Sequence, residues 1–408
     1  MKLIKKRYIE WIREPQRGEQ IFLLAYILYL GVSVWATTMF PMMNFVKIIG
    51  KLLFVPMVVL KILLYDGYQR KQLIIIIFVT ICSFLVLFLG HQTIHILWLI
   101  LILGTRNVSF EKILKSYLVV TGAIFFLAFA ASLLGVIENL QYVTETRGIR
   151  NSFGTIYPTD FAAHVFYWIV TYFYLMGERL KSWHYIGTAI VAALIYYFCN
   201  ARLDSGCILF IAILYGIGNA LRKSRTNRRI KHVWEHTWMR FGMLVMPLLA
   251  IFSILITVMY RKGSRGWDAI NKFSNGRVAL GKTGFTDYGV KLFGQNVVMK
   301  GFGGNTELVN DYFFLDCSYV NILICYGIVI LIIVLGLHVY CCYKNRFDLY
   351  FLYAIALIAL NCIFAHHLLE AAYNPFLLAI LTEGIRKPEK HIKFKPFREY
   401  MGLEIGGR

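Results

Sequence analysis

The sequence predicts an all-α, polytopic integral membrane protein with about twelve transmembrane helices. Hydrophobic residues make up 58% of its 408 residues and charged residues only 16%, and the mean hydropathy is +0.61. Such a composition excludes an ordinary soluble protein. The apolar runs at 21–40, 73–89 and 322–337 approach or reach the roughly 20 residues needed to cross a bilayer. Residues 1–408 are therefore expected to form a single membrane domain.

Twelve apolar runs follow one another along the chain, and the fourth and the twelfth are short. Nearly every connection predicted to be cytoplasmic is basic, whereas the outer turns at 41–44 and 90–92 carry no Lys or Arg. Basic flanks stay on the cytoplasmic side during insertion. We therefore expect a multi-pass protein of the cell (inner or plasma) membrane with cytoplasmic tails 1–20 and 385–408. The predicted spans are 21–40, 45–65, 73–89, 91–104, 113–137, 161–177, 184–200, 204–221, 241–260, 317–341, 347–366 and 370–384.

The formal net charge of +21 would suggest a nucleic-acid partner in a soluble protein. Here much of the charge directs membrane insertion, and no motif supports nucleic-acid binding. The densest basic block, 222–240, is interpreted as a connection that contacts anionic lipid headgroups. The eight cysteines lie mostly inside apolar runs and form no CxxC pattern, which is typical of packing residues and not of disulfides or metal ligands.

Two segments predicted to lie outside break the charge pattern, namely 138–160 and the large loop 261–316. Guanidinium groups gathered there next to glycines indicate a site for an anionic ligand, and phosphate is the anion we expect. The loop contains eight basic and five acidic residues, and it has ten glycines between Gly263 and Gly304. Such a glycine content fits either a backbone nest for an anion or a lid. Arg261 at its start is an ordinary membrane-edge residue.

The first outer segment contains Arg147 and Arg150 three residues apart. On a helical turn they would share a face and could grip two phosphate oxygens. Pro158 interrupts the chain, and Thr159 or Asp160 is a candidate cap for the helix that follows. The alternative for this segment is a solvated loop that contacts headgroups.

Arg202 and Asp204 lie in the short connection between the predicted spans 184–200 and 204–221. Charges at a membrane edge are costly, so they indicate either a functional site or a buried pair. Arg202 is therefore expected either to contact the ligand or to form an ion pair with Asp204.

Two further sets of titratable residues are predicted near the outer face. Asp316 lies where the large loop enters the tenth span, and it is either a general base or the N-cap of that helix. His366, His367 and Glu370 follow the eleventh span. They either line a polar groove for the substrate or pack between helices.

No metal site is predicted from the sequence. His91 and His95 are four residues apart, a spacing compatible with a metal ion, but no clear third ligand accompanies them. The chain has no Walker A lysine loop, no HExxH and no GxSxG motif, which disfavours ATP-driven transport and zinc peptidase chemistry.

The outer segments share a set of arginine, glycine and aromatic residues: Arg150-Asn-Ser-Phe153-Gly154 with Pro158, Asn200-Ala-Arg202, Gly276-Arg277, Leu292-Phe-Gly294, Gly301-Phe-Gly303, and Asp316 with Tyr319 and Gly327. In their order and location they resemble Wzy-type polysaccharide polymerases, within the O-antigen polymerase and ligase superfamily. The likeness in architecture covers nearly the whole chain, whereas the motifs are short and degenerate. A ligase is expected to have a histidine near the exit of the loop. This chain has Asp316 there and no histidine in 261–316, which favours a polymerase. The usual proline before the GxG-like turn is also absent.

By this resemblance the protein is expected to be a membrane glycosyltransferase with a GT-C-like arrangement and a partly helical outer loop as a lid. It would join polyprenyl-diphosphate-linked oligosaccharide repeat units into a capsule, exopolysaccharide or O-antigen chain. A hydroxyl group of one unit attacks the anomeric carbon of the other chain's reducing-end sugar, and polyprenyl diphosphate leaves. Because this donor is already activated, no cofactor, nucleotide sugar or metal is expected. The lipid bilayer and a chain-length regulator are the other candidate partners.

The resemblance also implies roles for individual residues. Arginines would stabilise the negative charge that develops on the diphosphate: Arg150, Arg202 and Arg277, supported by Arg147 and Arg265. The acceptor's proton would pass to one of three groups: Asp316, or else His366 or His367. Aromatic rings would stack on the sugars: Tyr157 and Tyr319. Glu370 would line the same groove.

Three alternative functions remain open: an O-antigen-ligase-like glycan transferase, a flippase for the same lipid-linked oligosaccharide, and an ion or solute permease. A flippase would need cationic residues deep along the spans, but here they cluster at the outer ends. A permease would favour broken or paired polar helices near the midplane, and the sequence offers no convincing example.

Overall fold

The fold consists mainly of helices joined by short connections. The computed structural model describes residues 15–144, 148–224, 228–304, 306 and 311–382. The first helices are α1 (Pro15–Trp35), α2 (Asn44–Leu52), α3 (Phe54–Tyr65), α4 (Arg70–Gly90), α5 (Ile94–Gly104) and α6 (Phe110–Leu133). A hairpin of β1 (Gln141–Thr144) and β2 (Gly148–Asn151) precedes α7 (Pro158–Met176), α8 (Ser182–Cys199) and α9 (Arg202–Lys223). The chain continues with α10 (Arg228–Phe241), α11 (Val245–Met259), α12 (Arg265–Phe273), α13 (Arg277–Asp287), α14 (Ser318–Asn321), α15 (Gly327–Lys344) and α16 (Leu349–Asn361).

Within the described residues, eight helical segments are long and apolar enough to cross a membrane, so the chain is a polytopic helical membrane protein. Three of these segments join neighbouring helices: α2 with α3, α10 with α11, and α14 with α15. The eight segments are Gln16–Trp35, Asn44–Tyr65, Arg70–Gly90, Phe110–Leu133, Ser182–Cys199, Arg202–Lys223, Arg228–Met259 and Ser318–Lys344. The predicted number of twelve spans is not confirmed, and the side of the membrane on which each connection lies remains a prediction.

The last predicted span, 370–384, is corrected by the structure. Its described part forms turns and the short 3₁₀ helix Phe376–Ile380. The physical reason lies in Asn374 and Pro375, because proline has no backbone N–H to continue a helix. The Asn374 side chain donates to the Leu368 carbonyl at 3.0 Å and accepts from the Phe376 N–H at 3.1 Å. The segment is therefore folded back on itself. The predicted tails 1–20 and 385–408 lie wholly or mostly outside the described residues.

Helix α16 lies at the centre of the core, and nearly all of its side chains are buried. Large tyrosines pack around it, and their hydroxyl groups donate to backbone carbonyls of neighbouring segments. Tyr319 donates to the Ala359 carbonyl at 2.8 Å, and Tyr215 donates to the Tyr350 carbonyl at 3.0 Å. A buried hydroxyl group needs such a partner, because leaving it unpaired costs free energy.

The β-hairpin is an exception to the all-α prediction. Its antiparallel register places Tyr142 opposite Arg150. The helical turn predicted around Arg150 is therefore wrong, since this residue lies in a strand, where neighbouring side chains alternate between faces. Asn151 donates from its side-chain amide to the Phe198 carbonyl at 3.1 Å, so the hairpin is fixed to the end of α8.

The segment Ser318–Lys344 is interrupted where a π-helix, Ile322–Tyr326, meets Gly327. Residues of the large loop provide the hydrogen bonds that the interrupted helix lacks. The N–H groups of Ile328 and Val329 donate to the carbonyls of Lys291 and Leu292, each at 3.1 Å. The Gln295 N–H donates to the Cys325 carbonyl at 3.2 Å. Within a membrane such an interruption is tolerated only when the freed backbone groups are paired in this way.

A side chain at position 327 is expected to destabilise the protein. Gly327 has φ of 90°, and an added Cβ would lie 2.4 Å from both the Gly294 nitrogen and the Leu292 oxygen. The backbone conformation alone costs about 1–3 kcal/mol for other residues. Gly327→Ala should therefore lower the midpoint of thermal unfolding in detergent, measured by fluorescence-detected size-exclusion chromatography.

The matched control is Gly336→Ala in the same helix, because an added Cβ there meets nothing within 4 Å. It should leave the midpoint unchanged or raise it slightly, since alanine favours helix. Equal midpoints for the two variants would show that the contact between residues 291–295 and the interrupted helix does not stabilise the fold.

Candidate functional site

A cavity of about 520 Å³ lies where α1, α8 and α16 end and where α7, α9 and α14 begin. The hairpin, the start of α13 and residues 301–304 of the large loop complete its walls. Its volume is in the range of small-ligand sites. Most of the site residues predicted from sequence line it: Arg150, Tyr157, Arg202, Arg277, Asp316, His366, His367 and Glu370.

Arg150 is 3% exposed and is held by two neighbouring elements. Its Nε donates to the carbonyl of Cys199, the last residue of α8, at 3.1 Å. Its Nη1 donates to the Tyr157 hydroxyl at 3.3 Å, and the guanidinium carbon lies 5.3 Å from the centre of the Tyr157 ring. Arg150 is therefore held in one orientation at the cavity wall, with a cation–π contact to Tyr157.

Arg202 begins α9 after a sharp turn at Asn200, which has φ of 45°. Its Nε donates to the side-chain oxygen of Asn200 at 3.1 Å, and the side chain is exposed to the cavity. The ion pair with Asp204 that was one of the two alternatives does not form. Asp204 is buried and accepts from the side-chain amide of Asn361 at 3.1 Å. Among the described residues, no carboxylate lies within ion-pair distance of Arg202.

Arg277 is the first residue of α13, and Gly276 before it has φ of 86°. Its Nε lies 3.2 Å from Oδ2 of Asp316, and both side chains are largely buried. Its Nη1 donates to the Ser274 carbonyl at 3.3 Å. The alternative role of Asp316 as a helix cap is wrong, because Cys317 occupies the N-cap position of α14. Asp316 instead forms an ion pair with Arg277, in which the Nε–H is not aligned for a hydrogen bond.

His366, His367 and Glu370 form one network beside the cavity. Nε2 of His366 lies 3.1 Å from one Glu370 oxygen, and Nδ1 of His367 lies 3.2 Å from the other. Burial alone would lower the pKa of His366, but the Glu370 carboxylate outweighs it and raises this pKa to about 9. Burial alone would raise the pKa of Glu370, but the two imidazoles bring it well below its ordinary value. Burial, together with His366, lowers the pKa of His367.

These values give the network distinct protonation states at neutral pH. His366 is a cation, Glu370 is an anion, and His367 is neutral and able to accept a proton. The three donor atoms lie within 4.8 Å of one another, so the trio could also hold a metal ion. Each carboxylate oxygen is already paired with one imidazole, however, and the imidazoles also pack against aromatic rings, His366 against Phe314 and His367 against Tyr373.

Aromatic rings form the wall beside the hairpin. Phe302 stacks on Tyr157 with ring centres 5.6 Å apart, and it lies edge-on to Tyr142 at 5.5 Å. The ring of Tyr312 lies 5.2 Å from that of Phe302. All four rings line the cavity, and such faces can stack on sugar rings. Tyr142, Phe302 and Tyr312 were not predicted from the sequence as site residues, although Phe302 lies inside the Gly-Phe-Gly pattern at 301–303.

Two of the described site residues do not line the cavity, and a third predicted residue is not described. Tyr319 is fully buried and donates to the Ala359 carbonyl, so its predicted role in sugar stacking is wrong and it is a core residue. Arg265 begins α12 with an exposed side chain outside the cavity wall. Arg147 lies outside the described residues.

The cavity combines groups that could bind an anion, accept a proton and stack on a sugar. Guanidinium groups recognise phosphate oxygens, carboxylate and imidazole groups exchange protons, and aromatic faces bind apolar surfaces of a ring. The polar groups come from segments far apart in sequence, which the helix ends bring together. No family model, curated protein or solved structure matches this chain.

The stability contributed by Glu370 is expected to depend on pH. The pKa of His366 in the folded protein, about 9, exceeds its ordinary value of 6.5. The contribution is therefore complete below pH 6.5 and is lost as pH rises through about 9. The lowered pKa of Glu370 adds a contribution that is present above its ordinary value of 4.5 and is lost on further acidification. The difference in thermal midpoint between the wild type and Glu370→Gln should be largest near pH 5–6.5.

A matched control is Glu178→Gln, which removes the exposed partner of Arg222, 2.7 Å away. That change should give a small difference with little pH dependence between pH 6.5 and 9, because exposed ion pairs contribute little. If the difference for Glu370→Gln also stayed constant over this range, His366 would not be a cation in the folded protein.

Proposed function

We propose that this chain is a membrane glycosyltransferase that polymerises polyprenyl-diphosphate-linked oligosaccharide repeat units on the outer face of the membrane. Its products would be capsule, exopolysaccharide or O-antigen chains. The proposal joins the resemblance of the outer segments to Wzy-type polymerases with the chemistry of the cavity.

The observation that carries the proposal is the convergence of three arginines in one cavity. Arg150, Arg202 and Arg277 come from the hairpin, the α8–α9 junction and the large loop. Asp204 lies close enough to interact electrostatically with both Arg150 and Arg277, so these guanidinium groups surround one space. Planar guanidinium groups bind phosphate oxygens in pairs, and a diphosphate offers several such oxygens.

The proposed reaction follows from this arrangement. The diphosphate of the donor lies among the arginines, and its reducing-end sugar lies against the aromatic wall. A hydroxyl group of the acceptor forms a new C–O bond at the anomeric carbon while the bond from this carbon to the phosphate oxygen breaks. The electron pair of that bond leaves with polyprenyl diphosphate, and the hydroxyl proton passes to a base. Fixed guanidinium groups stabilise the charge that develops on the leaving group.

Asp316 has a defined part in this proposal, because its ion pair holds Arg277 towards the cavity. His366 is a cation at neutral pH, so it would donate to phosphate or to a sugar oxygen and would not accept a proton there. His367 is the neutral imidazole of the network, although its side chain is almost completely buried.

A flippase for the same lipid-linked oligosaccharide is less favoured. It would need cations along the depth of the spans, whereas the arginines of the cavity lie at helix ends. The buried cation Lys61 is already paired with Asp66 at 2.7 Å. At the interrupted helix near Gly327, the Gln295 side-chain amide donates to the Ile324 carbonyl at 3.2 Å and backbone groups of 291–295 provide the other bonds, so the interruption is filled by the loop and gives little support to a permease.

A ligase-like glycan transferase is the second candidate, because the cavity contains histidines after all. His366 interacts electrostatically with Asp316, so an imidazole lies near the exit of the large loop even though the loop itself has none. The products distinguish the two activities. A polymerase extends a lipid-diphosphate-linked chain, whereas a ligase transfers a finished chain to a different acceptor.

Replacing the cavity arginines should abolish polymer formation without loss of membrane protein. We expect Arg202→Ala and Arg277→Ala each to reduce the rate by about 10²–10³-fold, the usual effect of removing one fixed donor to a developing anion. Arg150→Lys should have a similar effect, because lysine keeps the charge but loses the forked geometry. Polymer length and yield are measured by glycan electrophoresis, and protein is quantified in isolated membranes.

Arg261→Ala serves as the matched control, because this arginine is exposed and lies outside the cavity wall. It should retain wild-type polymer. Full activity in all three cavity variants would remove the basis of the proposal.

Deletion of the gene tests the proposed reaction in the cell. Long polymer should disappear, and single lipid-linked repeat units should accumulate in the outer leaflet. Units trapped in the cytoplasmic leaflet would instead identify a flippase. Normal polymer that is no longer attached to its final acceptor would identify a ligase.

A further inference from the structure

Four carboxylates line the cavity, and three of them already have a partner. Asp204, Asp316 and Glu370 are engaged by an amide, a guanidinium group and two imidazoles, respectively. The fourth is Asp160. Among the described residues, its side chain has no hydrogen bond and no ion pair.

Asp160 does not cap the helix in which it lies. It lies in the first turn of α7, but Tyr157 is the N-cap residue and no side chain caps this helix. Its backbone N–H donates to the Tyr157 carbonyl at 3.0 Å. The positive end of the helix dipole favours a negative charge in this turn, whereas burial raises the pKa of this carboxyl group to about 7. A carboxylate with such a pKa can accept a proton and release it again near neutral pH.

Asp160 lines the cavity together with its other charged groups. It is close enough to interact electrostatically with His366, Glu370, Asp316 and Asp204. These groups come from different segments, so Asp160 faces the space that they enclose. Its side chain is partly exposed to that space, which leaves its oxygens accessible to a bound hydroxyl group.

We propose that Asp160 is the catalytic base that accepts the proton of the acceptor hydroxyl, and that Asp316 is a positioning residue for Arg277. This inference deepens the proposed function and rests on it. The acceptor oxygen bonds to the anomeric carbon, its proton moves to a carboxylate oxygen of Asp160, and the diphosphate leaves with the electrons of the broken bond. The proton is released to water when the product departs.

The other three carboxylates of the cavity already have partners, and this supports the assignment of Asp160 as the base. A proton on Asp316 would weaken its ion pair with Arg277 at the moment when the leaving group needs that cation. A proton on Glu370 would break the contacts that hold His366 and His367. Asp160 can take up the proton without disturbing any contact between described side chains.

The experiment uses the full-length protein in lipid vesicles and the lipid-linked repeat units that accumulate in the deletion strain. Asp160→Asn should lower kcat by about 10²–10⁴-fold, the usual contribution of a general base, while KM for the lipid-linked donor changes little. Asp160→Glu should recover part of the rate. Asp316→Asn should also lower kcat, through Arg277, but it should leave the acidic limb of the pH–rate profile unaltered.

The comparison of asparagine with glutamate separates a catalytic from a structural role. Asparagine keeps the shape of aspartate but cannot accept the proton, so a structural role predicts that it is the better replacement. A catalytic role predicts the reverse, and it also predicts that the acidic limb of the pH–rate profile is altered in Asp160→Asn. Thermal midpoints of all variants are measured to verify folding. Asp287→Asn, an exposed change at the end of α13, should behave as the wild type.

The outcomes distinguish this inference from the proposed function. An active wild type with an equally active Asp160→Asn variant would overturn the role of Asp160 alone. A variant in which glutamate is worse than asparagine would do the same. A folded wild type that cannot join the lipid-linked units would overturn the polymerase proposal, and the role of Asp160 with it.

Discussion

Carbonyl groups at the end of a helix have no partner within that helix, and here the loops around the cavity provide partners for them. The last carbonyl of α8 accepts from Arg150, and the carbonyl before it accepts from Asn151. At the interruption before α15, the Cys325 carbonyl accepts from Gln295. The cavity is therefore built from the segments that complete the hydrogen bonding of the helices. Arg150, for example, lines the cavity and also donates to the last carbonyl of α8.

The charged side chains of the cavity differ in whether a neighbouring group fixes their orientation. Arg150, Arg277, Asp316 and Glu370 are each fixed by a neighbouring group, which gives them a defined orientation before any ligand binds. Preorganised groups of this kind stabilise developing charge without rearrangement. Arg202 and Asp160 differ, because neither side chain forms an ion pair among the described residues and both face the cavity, although Asp160 interacts electrostatically with His366. Their charged groups are thus accessible to a substrate.

The sequence was informative where a single physical rule dominates. Long apolar runs predicted the helical membrane fold, and arginines at the ends of those runs predicted most of the residues that meet in the cavity. Predictions from the sequence were wrong where tertiary contacts determine the local structure. Tyr319 belongs to a motif-like pattern, yet its ring is enclosed by the core around α16. The spacing around Arg150 suggested a helical turn, but this residue lies in a strand. The apolar run after Glu370 suggested a spanning helix, but the chain forms turns around Asn374 and Pro375. The aromatic wall could not be anticipated, because its rings come from the hairpin and from both ends of the loop tip.

The backbone contacts between residues 291–295 and the interrupted helix limit which positions of this protein can change in evolution. The base of the loop is constrained by backbone contacts at Gly294 and Gly327, where no side chain fits. The tip, which contributes Phe302 and Tyr312, meets the rest of the cavity through side chains. The residues of the tip can therefore change, and with them the shape of the aromatic wall, without disturbing the folding of the helices. Under the proposed function, such changes would alter which sugar is accepted while the membrane scaffold stays the same.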